Sequence, residues 1–217
     1  MAKRKPLTRL QKLLRSDGAL CVTFVNTTSP KRKAIESYDD LLAWGVDAGA
    51  LAAAESERLA SGAAVHPGNA ASAVRRALTL RRRLRRILLA LAGGGRPAPA
   101  DLGLFNSDLG RAMATRQVVA TGSGYRWSWG DAGGDDLHRM LWPVLRSAAD
   151  LLTSRYRERV GQCPDEDCGL LFIAHNSGRP RKWCGVACRN RNASQKHYRL
   201  RGKSKRARKK LWERGEP

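Results

Sequence analysis

The chain is poor in acids, aromatics and histidine. Its 217 residues hold 19 Asp and Glu against 41 Lys and Arg, a formal net charge of +22 at pH 7. Charge of that size speaks about partners, and a polyphosphate is the usual one. An anionic membrane or an acidic protein fits it less well. No run of about 18 apolar residues occurs, so no segment is expected to span a bilayer. The basic start, MAKRKPLTRLQKLLRS, lacks the long apolar core and cleavage site of a secretory signal. A reducing cytoplasm is therefore the expected setting, where close cysteine pairs hold metal more often than they form disulfides. Only four histidines are present, and they are scattered. With no Ser/His/Asp set and no paired carboxylates, no catalytic role is expected. The glycines of GGGRPAPA (93–100) lack the order of a nucleotide-binding loop, which denies them a phosphate role.

What is present reads mostly as helix. Residues 3–15 carry leucines at helical spacing among Lys and Arg, as a basic amphipathic arm or a frayed end. Residues 19–27 are a short buried segment in which Cys21 is an inert thiol. Asn26 and Thr27 either cap the next element or line a pocket. Ser37 caps a helix with Tyr38, Leu41, Leu42 and Val46 on one face and Asp39 and Asp40 in its first turn. An Ala-rich helix comes next, over 50–61. Asn69 is expected to cap a long helix running to about Ala92. One face of it is apolar, and the other carries Arg75, Arg76, Arg81, Arg82, Arg83, Arg85 and Arg86. That second face is either solvated or turned toward phosphate. Another helix spans 101–114. The period then changes to two around Thr121-Gly-Ser-Gly, which predicts a hairpin. Trp127 and Trp129 fall on one face of it, as packing or as an aromatic platform for bases. A last helix reaches about Tyr156, with Pro143 as a kink and His138 at the surface or packed.

Four of the five cysteines lie close together near the end. Cys163 and Cys168 form one pair, Cys184 and Cys188 another, fifteen residues apart. Four thiolates around one closed ion make a structural zinc site. A second argument is independent of spacing. Residues 155–217 hold 18 basic residues, 6 acidic ones and few apolar ones, so burial alone would not fold them, whereas a bound ion would. The expected order is a knuckle with its acids in water, a strand over 170–174, a return strand over 181–183, a second knuckle and a helix, as in a treble clef. His175 is a weak rival ligand. Arg179, Arg181, Lys182, Arg189, Arg191, Lys196 and Arg199 suit phosphates and guanine edges. Asn190, Asn192 and Gln195 suit adenine edges, and Asn190 could equally cap the knuckle. Lys203 to Lys210 is a basic run that adds sequence-blind affinity.

The span from Cys163 to Asn192 resembles the CGNR zinc finger. It has the two cysteine pairs, Gly169-Leu170-Leu171-Phe172, Asn176-Ser177-Gly178-Arg179, Trp183-Cys184 and Cys188-Arg189-Asn190-Arg191. Arg189 stands where that family has glycine, and the acid usual near 174–176 is missing. The N-terminal part is similar to the ABATE domain that usually precedes this finger. The resemblance rests on Phe24-Val25-Asn26-Thr27, Asp40-Leu41-Leu42-Ala43-Trp44 and the Arg-rich helix over 74–91. It implies a bacterial stress-induced transcriptional regulator.

The expected fold is mainly α, with three parts. Residues 1–156 form a helical domain with one hairpin, 157–202 a treble-clef-like zinc finger with four cysteine ligands, and 203–217 a basic tail. The expected function is regulation of transcription by binding double-stranded DNA, with one structural Zn2+, in the cytoplasm at the nucleoid. The helical domain would sense a small-molecule effector or a partner around Asn26, Trp127 and Trp129, and a homodimer is compatible with this reading. The alternative is RNA binding or nonspecific nucleic-acid binding; single-strand RNA recognition favours exposed aromatics, of which the tail offers only Trp183, Tyr198 and Trp212.

Overall fold

A computed structural model describes residues 19–28, 34–130, 136–174 and 181–195. The N-terminal arm, His175, Arg179, Lys196, Arg199 and the basic tail lie outside the described residues.

The segment 19–27 folds as a short helix, α1 (Leu20–Val25), closed by a 3-10 turn, Asn26–Thr28. Val22, Thr23 and Val25 are poor helix formers, so burial rather than propensity decides here: Cys21, Val22, Phe24 and Val25 are wholly inaccessible. The helix α2 (Tyr38–Asp47) starts at Ser37 in a capping box, in which Ser37 Oγ accepts from Asp40 N–H and Asp40 accepts from Ser37 N–H. Its buried face is Tyr38, Leu41 and Leu42, with Trp44 tilted against Phe24 at 5.0 Å. Val46, expected on that face, is exposed, because the helix turns it away from the core.

The helices α3 (Ala53–Val65) and α4 (Pro67–Ala92) meet at His66. Asn69 does not cap α4. Pro67 takes the first helical position, where its missing N–H is no loss, and Asn69 lies within the first turn. Ala73, Ala77, Leu80, Leu84, Ile87 and Leu88 make α4 the spine of the core. The helix α5 (Pro99–Ala114) comes next, inserting Phe105 and leaving Leu104 exposed.

Strands β1 (Arg116–Thr121) and β2 (Gly124–Trp129) form the hairpin at the turn where the period changes. Val118 faces Trp127 and Arg116 faces Trp129. Only Trp129 packs inward, 5.7 Å from Trp142; Trp127 remains 57% exposed. A 3-10 turn (Leu137–Leu141) leads into α6 (Trp142–Thr153). Pro143 therefore sits in a first turn and kinks nothing.

After a further 3-10 turn (Arg155–Arg159), β3 (Val160–Gln162) pairs antiparallel with β4 (Leu171–Ile173). These two strands bracket the first cysteine pair, so the hairpin seen among the described residues of the finger lies around that knuckle. Residues 181–183 form no strand. Val160, Leu171 and Ile173 belong to the same apolar core as the helices, while Phe172, between them in register, faces the cysteines. Gly161, opposite Phe172, has little room for a side chain: a Cβ there would lie 3.0 Å from the ring, which would have to give way. One two-stranded sheet thus serves two cores, one on each face. The last described element, α7 (186–195), carries Cys188 in its first turn.

Candidate metal centre and nucleic-acid face

The first knuckle is shaped by one buried carboxylate. Asp165 accepts the Asp167 N–H at Oδ1 (3.1 Å), and its carbonyl accepts the Cys168 N–H (2.9 Å). The chain then turns through Gly169 at φ 57°, a conformation that a side chain disfavours, and Cys163 N–H closes the loop on the Leu170 carbonyl at 2.8 Å. The second knuckle runs into α7, where Arg189 N–H donates to the Gly185 carbonyl.

These turns gather four sulfurs. The Sγ atoms of Cys163, Cys168, Cys184 and Cys188 all lie within 4.8 Å of one another, and both Cys168–Cys184 and Cys184–Cys188 are at 3.5 Å. Sulfurs at about 2.3 Å from a tetrahedral ion would be about 3.8 Å apart, so the cage fits zinc. Three of the four ligands are buried, and Phe172, Ala174, Leu170 and Trp183 pack around them. Burial and the neighbouring thiols push Cys184 well above the ordinary thiol range. So tight a thiol cluster needs a cation to hold its thiolates. The site has all four positions filled by sulfur, which makes it structural.

The acids of this knuckle were expected to stay in water, and Asp165 does not. It is 4% exposed and accepts from Arg191 Nη1 at 3.2 Å; Asp167 lies 4.0 Å from the same nitrogen. Arg191 therefore ties α7 to the first knuckle. Asn192 also turns back, donating from Nδ2 to the Cys188 carbonyl at 3.1 Å. The remaining side chains of α7 look outward. Arg189 and Asn190 are exposed, with Val186 (61% exposed) and Ala193 on the same face at helical spacing. Arg181 and Lys182, just ahead of α7 in the chain, are exposed too; the Arg181 guanidinium lies over Phe172 and its Nε donates to the Trp183 carbonyl. Val186 was missed by the sequence reading, since an apolar residue beside cysteines looks like core. Arg189 is helical, so this position makes no demand for glycine.

Two family models match the chain: ABATE ("Putative stress-induced transcription regulator") over residues 18–155, and the CGNR zinc finger over 159–201. The chain belongs to the ABATE family. Its C-terminal part is a CGNR zinc finger, and one structural zinc site is made by the four cysteines. No curated protein matches the chain. Among the described residues of this ABATE protein, no helix is long and apolar enough to cross a membrane.

In the ABATE domain, Asn26 is a clasp between domain and finger. Its Nδ2 donates to the Leu171 carbonyl at 2.8 Å, and its Oδ1 accepts the Leu171 N–H at 2.9 Å. It neither caps a following helix nor has an amide free for a ligand. Trp127 and Trp129 are on the hairpin, both against Arg116, whose guanidinium carbon is 5.2 and 4.3 Å from their ring centres. Neither they nor Asn26 line the two cavities described in the helical domain. Most of the arginine face of α4 is likewise engaged. Arg83 and Arg76 bind Asp108, Arg86 binds Asp101, Arg81 donates to Thr27 Oγ1, and Arg85 reaches the Gly169 carbonyl. Cys21 sits at zero exposure with its thiol pushed up to about 12 by burial, as suits an inert packing residue.

Proposed function

We propose that this chain regulates transcription by binding duplex DNA through the outer face of α7 and the adjacent Arg181 and Lys182, with the helical half sensing an effector. The supporting observation is the make-up of that face. Arg189, Asn190, Val186 and Ala193 project together, and no acid occurs from 181 to 195. An arginine fork suits guanine, an asparagine amide suits adenine, and small apolar groups suit the thymine methyl in the major groove. Zinc fixes the start of the helix, and Arg191 locks its rotation by holding Asp165. Arg179, Lys196, Arg199 and the basic tail add phosphate contacts. The protein works at the nucleoid, in a stress response, and the reading contains no catalytic step.

Fluorescence anisotropy with duplex DNA, duplex RNA and single strands at matched salt tests this. Duplex DNA is expected to bind tightest, with log K falling linearly against log salt. Genome-wide footprinting then gives the preferred site. Tighter binding to RNA, or no preferred DNA site, would replace the proposal by general nucleic-acid binding.

A further inference from the structure

The helical domain carries a partly open cavity of about 190 Å³ between α4, α5, the 3-10 turn Leu137–Leu141 and α6. Its floor is apolar: Leu80, Leu141, Leu145 and the Trp142 indole. Its wall carries two arginines from different helices, Arg76 and Arg111, drawn together by one carboxylate. Asp108 Oδ1 accepts from Arg76 Nη2 at 2.9 Å and from Arg111 Nη2 at 2.8 Å, while Oδ2 is taken by Arg83 Nη1 at 2.6 Å. Three guanidinium groups on one carboxylate leave a local excess of positive charge. Arg76 and Arg111 also keep N–H groups to spare, with side chains 40% and 64% exposed. The other acid of the wall, Asp136, spends Oδ1 on the His138 N–H at 2.9 Å. His138 lines the cavity as well. Burial holds its imidazole below the usual range, so near neutral pH the attraction rests on the arginines.

We infer that this cavity is a ligand site for a small carboxylate with a single-ring or branched apolar body, its carboxylate on Arg76 and Arg111 and its body on the Trp142 floor. The size sets the class, because a cavity of about 150 Å³ takes one benzene ring. The pairing of guanidinium groups with an apolar floor sets the polarity, as in most small-molecule sites. Trp142 also touches Trp129, so an occupant would press on the base of the hairpin. The site deepens the reading of the helical half as a sensor and rests on it for its biological role.

Isothermal titration of the zinc-loaded full chain with benzoate, phenylalanine and benzyl alcohol tests the site without DNA. A defect in DNA binding therefore cannot imitate its failure. Benzoate is expected to bind at one per chain, with a dissociation constant in the high-micromolar to low-millimolar range for so small a ligand. Benzyl alcohol should bind at least about tenfold more weakly. Tighter binding of phenylalanine than of benzoate would identify an amino acid, with its ammonium at Asp136, as the source of the carboxylate. Arg111→Gln should weaken the carboxylate at least about tenfold, and Leu145→Phe should fill the floor and remove binding, each with the thermal midpoint kept near wild type. Equal affinity for benzoate and benzyl alcohol, unchanged binding in well-folded Arg111→Gln, or no saturable binding of either carboxylate overturns the inference.

Discussion

Two arginines two positions apart on α7 have opposite duties, and substitution separates them. Arg189 points into solvent, whereas Arg191 neutralises Asp165, whose side chain is 3% exposed. Arg189→Ala is expected to leave the melting temperature unchanged, weaken duplex DNA by about 1–3 kcal/mol and reduce the salt slope by about one. Arg191→Ala removes the guanidinium 3.2 Å from a buried carboxylate, which keeps the Asp167 N–H, and should cost about 2 kcal/mol, discounted from a fully buried pair because Arg191 is one-third exposed. In a chain of this size that lowers the melting temperature by about 4–8 °C. Calorimetry and anisotropy on both variants check the split; equal effects on stability would refute it. Asn26 poses a sharper case. Asn26→Ala leaves the N–H and C=O of Leu171 buried without partners, a loss of about 3 kcal/mol read from the urea midpoint. A surface asparagine would show almost no change.

At the scale of elements, α4 and α5 are bolted by charge as well as packed. Burial alone would raise the Asp108 carboxyl, but hydrogen bonds from Arg111, Arg76 and Arg83 outweigh it and hold it below the usual range. The Arg86 hydrogen bond does the same for Asp101. Carboxyls lowered by folding contribute stability that is complete above about pH 4 and is lost as pH falls through their folded values. His138 is also lowered, by burial, so its contribution is complete above about pH 6.5 and declines below. Acid should therefore weaken the protein in two stages. Urea midpoints from pH 8 to pH 3 check this: His138→Gln should flatten the first stage and Asp108→Asn the second. None of these pairings was legible in the sequence. The seven arginines of α4 have no acid within a turn, and the acids that pair with Arg76, Arg83 and Arg86 lie 15 to 32 residues away on α5. The elements themselves were legible, because Ser37 and Asp40 form a local capping box and the alternation around Gly122 and Ser123 is a local signal. The cysteine cage was legible for the same reason, since ligand spacing is written along the chain. Pairing of β4 with β3 was not, because Leu171 and Ile173 look as apolar toward either neighbour.

For the whole molecule, the consequence of β3 and β4 is that finger and helical domain are not independent bodies. Val160, Leu171 and Ile173 complete the helical core; Phe172, Cys163 and Cys168, on or beside the same strands, complete the metal centre. Burying three such aliphatic side chains contributes about 6 kcal/mol by ordinary transfer values. The Asn26 clasp and the reach of Arg85 to the Gly169 carbonyl add polar ties. Zinc that holds the knuckle therefore holds β4 in place against α1 and α4. At a free zinc level of about one hundred times its dissociation constant, the ion adds about 2.7 kcal/mol to whatever unfolds with it. For a chain of this size that is about 5–11 °C of melting temperature. Removing zinc with a chelator should thus lower the melting of the helical domain itself, followed by far-ultraviolet circular dichroism, to which α1 to α6 of that domain contribute most of the described helix. The melt should stay a single transition before and after. Cys184→Ser should reproduce the shift, although Cys184 lies far along the chain from every helix of that domain. Two separate transitions, with the helical one unmoved by the chelator, would mean that the shared sheet does not couple the two parts.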